Sequence, residues 1–172
     1  MKITYLDHSG FAVEYKKYVL IFDWYKGKLP EFDSEKEIYV FSSHSHYDHF
    51  DRKIFELENI YPNVRYVLSA DITEKPVPSK VWFVIADKEY RIGNLKVQIL
   101  HSTDAGVAFL VYVDDRIIYH AGDLNWWHWE EESEYYNEQM RMDYQKEIHK
   151  LKNIRIDVAF VPLDPRQEEQ YY

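Results

Sequence analysis

Short apolar runs separated by turn residues dominate the chain and predict a protein built mainly of β-strands. Runs of roughly four to eight residues, rich in β-branched and aromatic side chains and bounded by Gly, Pro, Asp or Asn, are typical of strands. The predicted strands are residues 2–5, 11–15, 18–22, 38–42, 64–68, 81–86, 95–100, 108–113, 117–120 and 156–161. Pro76 and Pro78 interrupt the chain between two of them. Many strands with few long helices predict an α/β sandwich of mixed sheets.

Two segments have a helical pattern. Residues 53–59 suit a short helix, and a longer helix is predicted between residues 130 and 151. Apolar side chains recur along the longer segment at helical spacing, while charged residues occupy its other faces. This apolar stripe consists of Tyr136, Met140, Tyr144, Ile148 and Leu151. We expect the stripe to pack on the core, and His149 to lie at the helix end, where a cation is favourable.

Composition favours a globular domain over a nucleic-acid-binding or membrane protein. The 172 residues are 46% hydrophobic, which suits a single domain over residues 1–172 with a real core. The formal net charge of −9 argues against a nucleic-acid partner. The absence of cysteine rules out disulfides and thiolate ligands and fits a reducing compartment. With no apolar run long enough to cross a membrane, we expect a cytoplasmic protein without a membrane partner.

Residues 44–49, the motif loop, carry four metal-ligating side chains in six positions directly after a predicted strand. Their sequence is His-Ser-His-Tyr-Asp-His. A strand that ends here can aim His44, His46, Asp48 and His49 at a common point. Neutral imidazoles and a carboxylate suit Zn²⁺, Fe²⁺ or Mn²⁺. Two ions could share the cluster, one on His44 and His46 and the other on Asp48 and His49, whereas the alternative is a polar surface loop.

The motif loop resembles the signature motif of the metallo-β-lactamase superfamily. The later segment from His120 to Asp123, His-Ala-Gly-Asp, resembles that family's Gly-Asp strand end, and the two motifs occur in the family's order. The resemblance extends from Met1 to about Pro165. It implies a metallo-β-lactamase-like αββα sandwich and a metal-dependent hydrolase of the lactonase-like branch. Such an enzyme uses a metal-bound hydroxide to attack an ester, lactone, amide or phosphoester of a small molecule.

The resemblance also implies a ligand set for one or two Zn²⁺ ions, with Mn²⁺ or Fe²⁺ as alternatives. The implied metal ligands are His44, His46, Asp48, His49, His101 and Asp123. Asp123 would bridge two ions, and Asp48, the catalytic candidate, would bind the second ion or orient and deprotonate the attacking water. His101 is the candidate for the ligand between the motifs. Asp104 is its rival, since its offset from Gly106 is closer to that of a typical family loop.

Three further residues are candidates for contact with substrate. His8 occupies a turn similar to one in the ascorbate-6-phosphate lactonases, although it could simply close a hairpin. Asn125 and His128 lie in a tryptophan-rich stretch that could form a pocket wall or a hydrophobic plug. His120 is expected to be a buried, hydrogen-bonded residue rather than a ligand. Arg166 could bind a carboxylate or phosphate, or be an ordinary surface residue.

The C-terminal part departs from the family pattern. A family domain usually continues with a further strand, a last metal-binding His and a helix, whereas no His follows His149 here. We therefore expect a C-terminally shortened fold, an incomplete second metal shell, or a ligand supplied by a partner chain. The alternatives to a hydrolase of small molecules are a degenerate, non-catalytic metal-binding domain and a phosphodiesterase or nuclease. An exposed sheet edge left by a missing strand would favour a homodimer.

Overall fold

The chain forms two mixed β-sheets, one in each of two compact units, Met1–Ile85 and Ala86–Tyr172. The structure is a computed structural model that describes residues 1–73 and 78–170. The first unit contains β1 (Lys2–Asp7), β2 (Gly10–Tyr15), β3 (Tyr18–Phe22), β4 (Glu37–Ser42), a 3₁₀ helix (Arg52–Asn59), β5 (Val64–Ser69) and β6 (Val81–Val84).

In the first sheet the six strands lie side by side in the order in which they occur along the chain. β1, β2 and β3 pair antiparallel, and β3, β4, β5 and β6 pair parallel. Every residue of β3 is buried, as are all but the first residue of β4. Continuous apolar runs of this kind are typical of parallel strands covered on both faces.

This pairing gathers several connections along one side of the first sheet, which we name the carboxyl edge. Phe22 of β3 lies opposite Phe41 of β4, so both parallel strands end here, and β5 ends beside them. β2 runs the other way, with Phe11 opposite Phe22, so the β1–β2 turn is at the same edge. The residues placed along the carboxyl edge are His8, Asp23, residues 43–49 and Asp71. Ligands commonly bind beyond the carboxyl ends of such strands.

The second unit contains a five-stranded sheet in the order β11-β10-β9-β8-β7. Its elements are β7 (Glu89–Ile92), β8 (Leu95–His101), β9 (Val107–Val113), β10 (Arg116–His120), α1 (Glu134–His149), β11 (Val158–Phe160) and a 3₁₀ helix (Pro165–Gln170). β10 and β11 are parallel, and the other pairs are antiparallel. Ser133 caps α1 by accepting a hydrogen bond from the backbone N–H of Tyr136.

The strand predictions are confirmed to within two residues at each end, with one omission. β7 was not predicted, because only one of its four residues is buried and it lacks an apolar run. The short helix predicted over residues 53–59 is present as a 3₁₀ helix, Arg52–Asn59. Pro76, Tyr171 and Tyr172 lie outside the described residues.

The long helix is shorter than predicted, because it starts only after its cap, Ser133, and ends at His149. Tyr144 and Ile148, with Leu151 just beyond the helix, pack against a buried cluster of β8, β9 and β10 side chains, whereas Tyr136 is 38% exposed. The stripe therefore packs on the core in its C-terminal half only. Among the described residues, no helix is long and apolar enough to span a membrane.

Candidate metal centre

The motif loop is fixed by backbone hydrogen bonds and by a neighbouring strand end. The N–H groups of His49 and Phe50 both donate to the carbonyl oxygen of His46, at 3.0 and 2.9 Å, which closes a tight turn. The N–H of Ser45 donates to the Asp71 carboxylate at 2.9 Å. Because Asp71 follows β5 and the loop follows β4, the parallel pairing of these strands positions the loop.

Three imidazoles of the motif loop converge as its spacing predicts. The ring centroids of His44 and His49 are 4.0 Å apart, and those of His44 and His46 are 4.5 Å apart. His44 Nε2 and His46 Nδ1 are separated by 3.0 Å. Ligand atoms on one tetrahedral zinc ion lie about 3.4 Å apart, given metal–ligand bonds of about 2.1 Å. The ligand atoms of His44 and His46 are therefore close to the separation that one shared ion requires.

His44 is in the protonation state that binds a metal. Its side chain is fully buried. Burial, reinforced by the nearby His49, lowers the pKa of His44 to about 4, although the Asp23 carboxylate opposes part of this shift. The imidazole is therefore neutral at pH 7, and only a neutral imidazole offers a lone pair to a metal.

Asp23 is a functional candidate that the sequence analysis missed. This fully buried carboxylate accepts hydrogen bonds from the Ser43 N–H and the Ser43 hydroxyl, each at 2.7 Å. It also accepts one from His49 Nδ1 at 2.7 Å. A carboxylate bonded to one ring nitrogen fixes the tautomer, so Nε2 of His49 is the nitrogen that would bind a metal.

The position of Asp23 follows from the sheet. It comes directly after β3, with a left-handed backbone conformation (φ 43°), and its N–H donates to the carbonyl of Phe41 in β4. The signal in the sequence was a lone Asp at the end of an apolar run. Recognising its role also required knowing that β3 and β4 are parallel neighbours.

His8 joins the motif loop at the carboxyl edge. Its Nε2 lies 3.6 Å from a carboxylate oxygen of Asp48, and its ring centroid lies 5.1 Å from that of His49. One potential ligand atom from each of His8, Asp48 and His49 lies within 4.8 Å of the other two. His8 also contacts Tyr25 edge-on, and the Tyr25 hydroxyl donates to Asp7 at 2.9 Å.

In the second unit, hydrogen bonds connect the two segments that carry the other predicted ligands, the one after β8 and the one after β10. The Thr103 hydroxyl donates to the carbonyl of Asn125 and accepts from the N–H of Asn125, at 2.6 and 3.0 Å. His101 is the last residue of β8, and its Nδ1 is 2.9 Å from the Ser102 carbonyl. Asp123 is half-buried, and its carbonyl accepts from the Trp127 indole at 2.9 Å. Their role as ligands stays a prediction.

Asn125 and His128, the predicted substrate residues of the second unit, differ in their surroundings, since Asn125 is hydrogen-bonded and His128 lines a cavity. The Asn125 amide donates to Gln167 at 3.1 Å. His128 and Trp126 line a cavity of about 360 Å³ whose other walls are mainly glutamates. Substrate contact by Asn125 or His128 stays a prediction.

Two further expectations concern polar residues of the second unit. His120 is buried and its Nδ1 accepts from the Gly122 N–H at 3.2 Å, which confirms the expectation for this residue. Arg166 is exposed, pairs with Asp164 and lies over the Trp129 ring.

Comparison with known proteins defines the class of fold. No protein-family model matches the chain. Among solved structures, the chain is similar to Igni18, a metallo hydrolase from Ignicoccus hospitalis, with 18% identity and a TM-score of 0.54 over 70% of this chain and 59% of that one. It is also similar to a metallo-β-lactamase from Staphylococcus aureus, with 18% identity and a TM-score of 0.54 over 92% of this chain and 54% of that one.

A third similar structure carries out different chemistry. CmlA, a diiron β-hydroxylase from Streptomyces venezuelae, is 14% identical, with a TM-score of 0.55 over 98% of this chain and 39% of CmlA. The chain thus spans about two fifths to three fifths of these three structures. Together they confirm the predicted metallo-β-lactamase-like α/β fold, which is shared by metal-dependent hydrolases and by an oxidative enzyme.

Proposed function

We propose that this chain is a metal-dependent hydrolase that cleaves an ester, lactone, amide or phosphoester of a small molecule. The observation that carries the proposal is the convergence of three imidazoles, with Asp48 beside them, at the carboxyl edge of the first sheet. The fold supports it, because metallo hydrolases share that fold.

The chemistry of the donor set fits a divalent metal of the zinc, manganese or iron type. Imidazole nitrogen and carboxylate oxygen suit these ions, and His44 and His49 are both held in forms that can bind. When bound, such an ion acts as a Lewis acid and lowers the pKa of water from 15.7 to about 7. Zn²⁺ is our first choice.

The protein's own residues would divide the remaining tasks. A carboxylate oxygen of Asp48 would accept the proton of the attacking water and hold that water in line with the scissile group. Asp23 would keep His49 in one orientation through the bond to Nδ1. These two carboxylates differ in surroundings, since Asp23 is buried and bonded whereas Asp48 is half-buried.

We further propose His101 and Asp123 as ligands from the second unit. The contact between His101 Nδ1 and the Ser102 carbonyl supports the choice of His101, because a proton on Nδ1 leaves the lone pair of Nε2 for a metal. Asp104 remains the rival of His101. The variants His101→Ala and Asp104→Ala separate them, since only loss of the true ligand should reduce the metal content.

The first test is elemental analysis of protein purified without chelator. We expect about two ions per chain, and fewer in His46→Ala. Tyr47→Ala is a matched control within the motif loop, because its side chain is 82% exposed and offers no favoured ligand. Metal-free wild-type protein would contradict the proposal.

The second test is a hydrolysis panel of esters, lactones, amides and phosphodiesters with and without chelator. We expect chelator-sensitive hydrolysis that is lost in Asp48→Asn. Activity on phosphodiesters alone would favour the phosphodiesterase alternative. One bound ion or none, without activity on any substrate, would favour a degenerate, non-catalytic domain. Because CmlA shares the fold, iron-loaded protein belongs in the same panel.

A further inference from the structure

We propose that His8 is a protein ligand of the ion held by Asp48 and His49, so that the β1–β2 turn completes this subsite within the first unit. The inference rests on the proposed function, since it assumes that the motif loop binds metal. It replaces the expectation that His8 contacts substrate. The resulting set, two imidazoles and one carboxylate, leaves one tetrahedral position open, as in catalytic zinc sites of the His₂Glu type.

The distance between His8 and Asp48 suits two ligands on one metal ion better than a hydrogen bond between the two side chains. His8 Nε2 and the Asp48 oxygen are 3.6 Å apart. That separation exceeds the range of about 2.7–3.2 Å for a hydrogen bond. It is close to the spacing of about 3.4 Å between two ligand atoms on one tetrahedral ion. All three potential ligand atoms lie within 4.8 Å of one another, so a small side-chain adjustment brings them onto one ion.

The hydrogen bonding of His49 allows it to act as a ligand together with His8 and Asp48. Its Nδ1 is bonded to the buried Asp23 carboxylate, which assigns metal binding to Nε2. The His8 and His49 rings are nearly perpendicular, at 82°, with centroids 5.1 Å apart. Because the Asp23 bond restrains the His49 ring, Asp48 and His8 are the members of the set that adjust.

The backbone at His8 supplies an independent argument. His8 has a φ of 47°, in the left-handed region that residues with a side chain rarely occupy, and it begins a two-residue hairpin turn. Glycine and asparagine are the favoured residues at such positions. A histidine here carries a conformational cost, and its side chain is 48% exposed. Strained residues of this kind cluster at functional sites.

A simple ion pair between His8 and Asp48 is the competing explanation. Both side chains are partly exposed, at 48% and 31%, and such pairs contribute little to stability. Alternatively, His8 could bind metal indirectly, by donating a hydrogen bond that orients Asp48. Glutamine at position 8 separates these roles, because it can donate a hydrogen bond to Asp48 but is a poor ligand for zinc or cobalt.

The experiment measures Co²⁺ and Zn²⁺ dissociation constants of the full chain by calorimetry, for wild type, His8→Ala, His8→Gln and His149→Ala. We expect both His8 variants to weaken the Asp48–His49 ion at least about tenfold, since even loss of a residue behind a ligand costs 10–100-fold. His149→Ala is the matched control, because His149 ends α1 in the other unit. It should bind both ions as the wild type does.

Proton NMR of the Co²⁺ protein provides the second measurement. We expect one shifted imidazole N–H signal to disappear in His8→Ala, with unchanged circular dichroism. Unchanged affinity in His8→Ala, or full recovery in His8→Gln, would overturn the ligand role while leaving the proposed function intact. A wild-type protein that binds neither Co²⁺ nor Zn²⁺ would overturn both.

Discussion

Asp23 is a buried residue that contacts a proposed metal ligand, His49, without being proposed as a ligand itself. Its carboxylate satisfies three donors at once, two from Ser43 and one from His49. The charge also opposes part of the burial effect that lowers the pKa of His44. Asp23 therefore affects both buried histidines of the motif loop, since it orients the His49 ring and partly offsets the lowering of the pKa of His44.

We predict that Asp23→Asn lowers zinc affinity 10–100-fold. The amide NH₂ group of asparagine cannot accept a hydrogen bond, so at least one donor of Ser43 or His49 would lose its acceptor. The free energy of unfolding should therefore fall by about 1–3 kcal/mol. Zinc titration and urea unfolding measure the two effects. Asp33→Asn, at an exposed carboxylate, is the control. Wild-type zinc affinity in Asp23→Asn would show that His49 needs no such partner.

His44 makes the metal-free protein sensitive to acid. Its pKa falls from 6.5 to about 4 on folding, so the unfolded chain takes up the proton first as the pH drops. The stability due to neutral His44 is therefore complete above pH 6.5 and is lost as the pH falls toward 4. The loss should not exceed roughly 3 kcal/mol.

The measurement is urea unfolding of chelator-treated protein between pH 7 and 4, for wild type and His44→Gln. We expect a shallower pH dependence in the variant, because glutamine does not titrate. Identical slopes for the two proteins would mean that His44 is not a buried neutral imidazole in the metal-free state.

The β1–β2 turn is the element in which backbone packing and the candidate site are most tightly linked. A Cβ added at Gly10 would lie 2.8 Å from the Asp7 carbonyl oxygen and 3.1 Å from that of Asp23. Both atoms belong to the backbone, so neither can move without shifting the turn or the end of β3. His8, which follows Asp7, and Asp23 both contact His49.

We predict that Gly10→Ala destabilises the protein by about 1–3 kcal/mol, a typical cost of overpacking. It should also weaken metal binding, because it displaces both His8 and Asp23. Thermal unfolding and zinc titration test the two effects, with Ser45→Ala as a control at an exposed position of the same edge. Wild-type metal affinity in a destabilised Gly10→Ala variant would show that the β1–β2 turn does not affect metal binding.

Metal binding should be visible in the stability of the molecule as a whole. An ion that binds only the folded chain stabilises it by about 2.7 kcal/mol at a concentration of 100 times Kd. For a chain of this length, that corresponds to a rise of about 5–10 °C in Tm. We therefore expect Zn²⁺ to raise the Tm of chelator-treated protein in a concentration-dependent way.

Mg²⁺ at the same concentrations is the matched control for that experiment. It prefers oxygen ligands in octahedral geometry and should leave Tm nearly unchanged, because the motif loop offers mainly imidazole nitrogen. Equal shifts with both ions would indicate weak, non-specific binding to a chain whose net charge is −9.

The fold class and the motif loop could be predicted from the sequence, because both depend on the pattern of residues that are close together along the chain. The apolar runs of β3 and β4 predict strands clearly, whereas β7, with one buried residue of four, has no such run. The roles of Asp23 and His8 depend instead on which strands are neighbours, and one sequence does not reveal that. Cytoplasmic location and a homodimer stay predictions.

The strand order of the first sheet has a consequence for how the protein is made. Each strand from β1 to β6 pairs only with the strands before and after it in the chain, within the described residues. During synthesis on the ribosome, every new strand therefore finds its partner already outside the exit tunnel. Residues from His8 to His49 precede the whole second sheet, so these residues of the carboxyl edge can come together before the rest of the chain is translated.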